Sequence, residues 1–188
     1  MDNNLMWYKD KRIENLSKVL IDKEYVICKV DSLEEAKIKI LSLLSKEKSV
    51  ALGDTWELND EEFLNKLRNF KFFDCFNRER NSCEIKRNSL IADISILEGE
   101  FVTEDGQVIV VGDYNTSSAL FGAKNIIVLL SEDKIVKSLD VALNKVDQLE
   151  KYFKLRSEKL GNINDGLSIG IIENGRKFNK RITLVITR

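Results

Sequence analysis

The hydrophobic residues of this chain recur in two rhythms that alternate along most of its length. From Leu5 to Leu20, Ile13, Leu16, Val19 and Leu20 fall at three- and four-residue spacing among Lys and Glu, which predicts an amphipathic helix with Trp7 on its apolar side. Glu24 to Val30 alternates and carries Tyr, Val and Ile, a strand pattern. Ser32-Leu33-Glu34-Glu35 is a capping box, opening a helix whose apolar face is Leu33, Ala36, Ile40, Leu43 and Leu44. Ser49 to Leu52 reads as a short buried strand. Asn59 or Asp60 then caps a helix with Phe63, Leu64 and Leu67 inward. Lys71 to Phe76 reads as a strand, and Asn77 to Arg87 as a charged surface loop and helix. Ile126 to Leu130 is a further buried strand, and Ser138 to Lys159 has helical periodicity. Leu167 to Ile172 and Arg181 to Ile186 read as two strands of a hairpin turning at Asn174-Gly175.

The stretch from Ala92 to Lys124 holds the densest signals. Asp93 to Leu97 is strand-like and stops at Glu98-Gly99-Glu100. Phe101 to Thr103 and Val108 to Val111 flank Glu104-Asp105-Gly106, and Asp-Gly between two apolar runs predicts a hairpin. Gly112-Asp113-Tyr114-Asn115 is a polar turn, with Asn115 or Thr116 capping a helix through Ser117, Ser118 and Leu120 to Gly122.

Strands alternating with helices imply parallel βαβ units. The expected fold is three-layer α/β, a mostly parallel sheet with helices on both faces and attached β-hairpins. At 188 residues the chain suits one domain, 1–188, divided into an N-terminal helix (1–21), an α/β core (22–160) and a C-terminal hairpin (161–188). Thirty basic and 31 acidic residues leave the net charge near zero, so no overall field favours nucleic acid or an anionic membrane. No apolar run approaches a membrane span, and Met1-Asp2-Asn3-Asn4 is unlike a signal peptide. A soluble cytoplasmic protein is expected.

Histidine is absent, which removes the commonest general base and metal ligand. The three cysteines, Cys28, Cys75 and Cys83, have no metal-ligand spacing, and Cys28 is expected to pack as a small hydrophobe. No metal is expected and no cofactor is specified, so chemistry falls to carboxylates, lysines, hydroxyls and backbone amides. In an open parallel sheet ligands bind outside the carboxyl ends of strands. That rule selects Gly53-Asp54-Thr55 after one strand and Glu98-Gly99-Glu100 after another. Gly112, Asp113, Asn115, Thr116, Ser117 and Ser118 form a third loop whose helix start suits an anion. Glu98 and Glu100 are the candidate catalytic acids, since a desolvated strand-end carboxylate can act as nucleophile or base; the alternative is two solvated turn residues. Lys124 and Lys134 are candidate counter-charges for an anion.

An ordered set of motifs points to a family. Trp7 with Lys11-Arg12-Ile13-Glu14, Val50-Ala51-Leu52-Gly53, Ala92-Asp93 and Thr103-Glu104-Asp105-Gly106 are followed by Leu120 to Val128, Asp133-Lys134-Ile135-Val136, Leu139-Asp140 and Arg181 to Ile186. Over nearly its whole length the chain resembles the LUD-domain proteins, typified by the C-type subunit of lactate-utilisation operons. The resemblance implies a fold similar to the NagB/RpiA/CoA-transferase group. It also implies an accessory metabolic role with a small anionic or nucleotide-like ligand. Two other roles stay open. One is a CoA-transferase-like or sugar-phosphate-isomerase-like enzyme using Glu98 or Glu100; the other is a subunit docking onto oxidoreductases. Self-association is also left open. The cysteine cluster that many relatives carry near the C-terminus is absent between Gly161 and Arg188, so the resemblance implies no iron–sulfur role here.

Overall fold

The structure, a computed structural model, describes residues 3–53, 55–74, 82–112, 120–159, 168–176 and 181–188. Helix α1 (Asn3–Asp22) buries Ile13, Leu16 and Leu20. Trp7 is largely exposed, contrary to its expected place. Nine residues separate it from Leu16, about two and a half helical turns, so the two point in opposite directions. Helix α1 ends with Tyr25 N–H donating to Leu20 O (3.0 Å) and Glu24 N–H to Ile21 O (2.9 Å). Glu24 takes the left-handed position of this C-cap, at φ 64°. The helix thus runs nearly to the start of strand β1 (Val26–Val30).

Helix α2 (Leu33–Ser42) follows; Ser32 Oγ accepts from Glu35 N–H, and Glu35 returns its carboxylate to Asp31 N–H. Strand β2 (Ser49–Leu52) leads to α3 (Glu61–Leu67), which Asp60 caps through Phe63 N–H. Then come β3 (Lys71–Phe73), α4 (Ser82–Ser89) and β4 (Ile94–Glu98). Strands β5 (Phe101–Thr103) and β6 (Val108–Gly112) form the expected hairpin, Phe101 opposite Ile109 and Gly106 at φ 77° in the turn. Strands β7 (Asn125–Ser131) and β8 (Ile135–Val136), helices α5 (Leu139–Gln148) and α6 (Glu150–Lys159), and strands β9 (Ser168–Ile172) and β10 (Ile182–Thr187) complete the described elements.

Six strands form a parallel sheet in the order β1-β10-β7-β4-β2-β3. One face is covered by α2 and α3, where Ala36, Ile40, Phe63 and Leu67 meet Leu52, Ile94, Ile96 and Leu129. The other packs Leu97, Val128, Leu130 and Leu184 against α1 and the inner face of a second sheet. The fold is three-layer α/β, as expected. The second sheet, β8-β5-β6-β9, buries its outer face through Ile109 and Val111 against Ala142, Val146 and Phe153 of α5 and α6.

The expected C-terminal hairpin does not form. Strand β9 pairs antiparallel with β6 in the second sheet, whereas β10 lies parallel between β1 and β7. Burial explains the separation. Strand β10 is buried almost throughout and belongs in a sheet centre, while β9 alternates as an edge strand does. Gly175 serves a close approach instead of a hairpin turn: its N–H donates to Lys23 O (2.9 Å), and a Cβ there would stand 2.4 Å from Glu24 O.

Candidate functional site

The strand order reverses at one place. From β2 the chain moves outward to β3, then returns past β2 to lay down β4 on its other side, and continues away through β7 and β10. Such a reversal leaves a crevice at the carboxyl ends of the two strands it separates, the position where open α/β sheets receive ligands. Gly53 and Thr55 lie beyond β2 there, and Glu98, Gly99 and Glu100 lie at and beyond the end of β4.

These two segments are joined by one side chain. Glu98 is buried; its Oε2 accepts from Trp56 N–H (2.8 Å), and its Oε1 from Glu57 N–H (2.6 Å) and Leu58 N–H (3.0 Å). Three successive backbone donors thus converge on one carboxylate. Within the strand, Glu98 falls on the same side as Ile94 and Ile96, the face that α3 covers, so the turn entering α3 closes over it. Burial pushes the Glu98 carboxyl above the ordinary range; hydrogen bonds from Trp56 and Leu58 and the charge of Lys134 oppose the shift, and Glu57 adds to it. Both oxygens are engaged with backbone. Holding the 56–58 turn against β4 is therefore the work this geometry gives Glu98.

Glu100 is also buried, and Lys134 Nζ stands 3.9 Å from its Oε1. Neither acid is a solvated turn residue, so the surface alternative fails for both. Lys134 arrives from the segment between β7 and β8, and β7 is the neighbour of β4. Between the two acids, Gly99 donates to Leu129 O (2.8 Å); a Cβ here would fall 2.2 Å from Leu130 Cδ2. Thr55 is fully buried, and its hydroxyl has no hydrogen-bond partner among the described residues.

Gly53, Thr55, Glu98, Gly99 and Glu100 are therefore brought to one rim. Gly112 closes β6 opposite Ser168, and the register of Phe101 with Ile109 carries it back toward the Glu98-Gly99-Glu100 turn. Asp54, Asp113, Asn115, Thr116, Ser117 and Ser118 lie outside the described residues, as do the side chains of Cys75 and Cys83. Lys124 belongs to the opposite end of the sheet. Its Nζ donates to Asp93 Oδ1 (2.9 Å), while Asp93 Oδ2 accepts from Ser49 N–H (3.0 Å) and Oγ (2.8 Å), clasping the starts of β2 and β4. These donors, Lys124 first, hold the Asp93 carboxyl well below the usual range. Among the described residues no group of three His, Cys, Asp or Glu side chains is placed to hold a metal ion, and no helix is long and apolar enough to cross a membrane.

A family model, the LUD domain, matches residues 13–186. The chain belongs to the LUD-domain family. Among solved structures, this LUD domain is similar to a DUF162 family protein from Deinococcus radiodurans, covering 95% of this chain and 97% of that one at a TM-score of 0.58 and 13% identity. That likeness is one of fold. The comparison with curated proteins gave no match. The sequence motifs placed Glu98, Glu100, Gly53 and Thr55 in this LUD domain by strand position alone. They did not single out Lys134 for Glu100 or Trp56 for the rim, because both pairings depend on the strand order, which no local pattern encodes.

Proposed function

We propose that this LUD-domain protein binds a small organic anion at the rim between β2 and β4, in an accessory metabolic role akin to that of the lactate-utilisation proteins it resembles. The observation that carries the reading is the strand-order reversal at β2 and β4, with the turn beyond β2 pinned by a buried carboxylate at the end of β4. A ligand site needs groups fixed before the ligand arrives. Glu98 supplies that fixity, Lys134 supplies a cation, and the hydroxyl of Thr55, which has no hydrogen-bond partner among the described residues, supplies a donor and acceptor.

A second reading, acyl transfer or sugar-phosphate isomerisation, has one specific observation in its favour: Glu100 is a buried strand-end acid 3.9 Å from an ammonium group. In that reading Glu100 is the reacting acid and Glu98 positions the turn. Thermal-shift titration with lactate, sugar phosphates, nucleotides and CoA esters tests both. Stabilisation by one class that Lys134→Met and Thr55→Val each weaken supports the binding site. Stabilisation that neither variant alters, or none from any class, counts against it. Turnover of a stabilising acyl-CoA or sugar phosphate, lost in Glu100→Gln while binding persists, favours the enzyme.

A further inference from the structure

Trp56 follows Thr55 in the pinned turn, and 41% of its surface is exposed. The core at this point is filled by Leu58, which is wholly buried. An indole is a large apolar surface to leave open to water, yet this one is mounted on a fixed point, the backbone N–H of Trp56 being held by Glu98 Oε2 at 2.8 Å. Over the ring, 4.9 Å from its centroid, stands Nζ of Lys159, the last residue of α6. The rim therefore presents a flat aromatic surface with an ammonium group against it and a second ammonium, Lys134, beside Glu100.

We propose that Trp56 is a stacking platform and that the ligand of the rim is a nucleoside phosphate, its base on the indole and its phosphate on Lys159. This rests on the rim-site reading and narrows its ligand class. A base stacked on an aromatic side chain is a stronger contact than an exposed cation–π pair. The base can thus take the ring face from Lys159, and the released ammonium is left within reach of the phosphate attached to that base. A purely aliphatic anion would leave the indole without work to do.

The chain has two tryptophans, and the other, Trp7, is exposed on α1. A Trp7→Phe protein therefore reports on Trp56 alone. Titrated with AMP, it is expected to lose fluorescence saturably, whereas ribose 5-phosphate leaves the emission unchanged. By calorimetry, Trp56→Leu is expected to weaken AMP binding about tenfold, and Lys159→Met to weaken AMP while leaving adenosine unaffected; circular dichroism establishes that each variant is folded. Absence of a saturable change with AMP overturns the proposal, as does a folded Trp56→Leu protein that binds AMP as tightly as the parent. Stabilisation by ribose 5-phosphate equal to that by AMP, with no change in emission from either, removes the platform but leaves the rim site standing. No stabilisation by any ligand class defeats both.

Discussion

Replacing Glu98 by alanine removes the acceptor for three consecutive amides at once. A hydrogen bond to a charged group contributes about 1.5–3 kcal/mol, but the three are not equal here. Trp56 and Glu57 lie where water can reach the freed donors, whereas Leu58 is fully buried and its N–H is left without a partner. Removing the carboxylate also relieves the burial that raises its pKa, which offsets part of the loss. The net expectation is about 3 kcal/mol, discounting the two wetter bonds. For a domain of 188 residues this corresponds to a fall of roughly 6–12 °C in Tm. Glu98→Gln keeps one acceptor oxygen but turns an amide donor toward a backbone donor, so it should fall between wild type and alanine. The assay is thermal unfolding at pH 7 with hydrogen exchange read at residues 56–58. A Glu98→Ala protein with Tm within about 2 °C of wild type and unchanged exchange at those amides would refute the clamp.

Other expectations follow from single observations. Glu24→Gly should raise stability by up to about 1 kcal/mol in chemical denaturation, because glycine takes the left-handed cap at φ 64° without strain; a clear loss would contradict that. The lowered pKa of Asp93 means that its contribution is present above about pH 4, near its ordinary value of 3.8, and is lost as pH falls toward its folded value. An Asp93→Asn protein should therefore show a flatter stability profile below about pH 4, and an unchanged slope would sink the assignment. Gly122→Ala should disrupt folding more than Gly99→Ala, since the new Cβ would meet Leu90 O in the first case and the movable tip of Leu130 in the second; equal Tm values would argue otherwise. Arg181→Lys should destabilise, because the buried guanidinium donates Nε and Nη2 to the carbonyls of Ala123 and Leu120, a fork that one ammonium cannot copy; an unchanged Tm would count against it.

The elements readable from sequence are those decided within a few residues. The hairpin at Asp105-Gly106 forms because Gly106 takes a positive φ and its N–H closes onto Thr103 O (2.8 Å). The caps at Ser32 and Asp60 are equally local, each side chain accepting from the backbone N–H three residues on. What failed was long-range. Asn174-Gly175 carries a hairpin signature, yet Gly175 answers to the backbone of the α1–β1 turn, far away in sequence. The nearly complete burial of Ile182 to Thr187 has its sequence counterpart in a nearly unbroken apolar run, a sign of a central parallel strand that outweighs the turn motif beside it. The site was half legible. Strand-end position located Gly53, Thr55, Glu98 and Glu100, but the engagement of Glu98 with the 56–58 amides requires β2 and β4 to be neighbours, and only the assembled sheet makes them so.

The most direct test of the rim as the ligand site is hydrogen exchange on the full chain, with and without the compound that stabilises it most in the thermal screen. The account expects added protection concentrated at residues 55–58, 98–100 and around 134, and its disappearance in Lys134→Met. Protection confined to α1 or to the opposite end of the sheet near Asp93 and Lys124, with the rim unchanged, would contradict it.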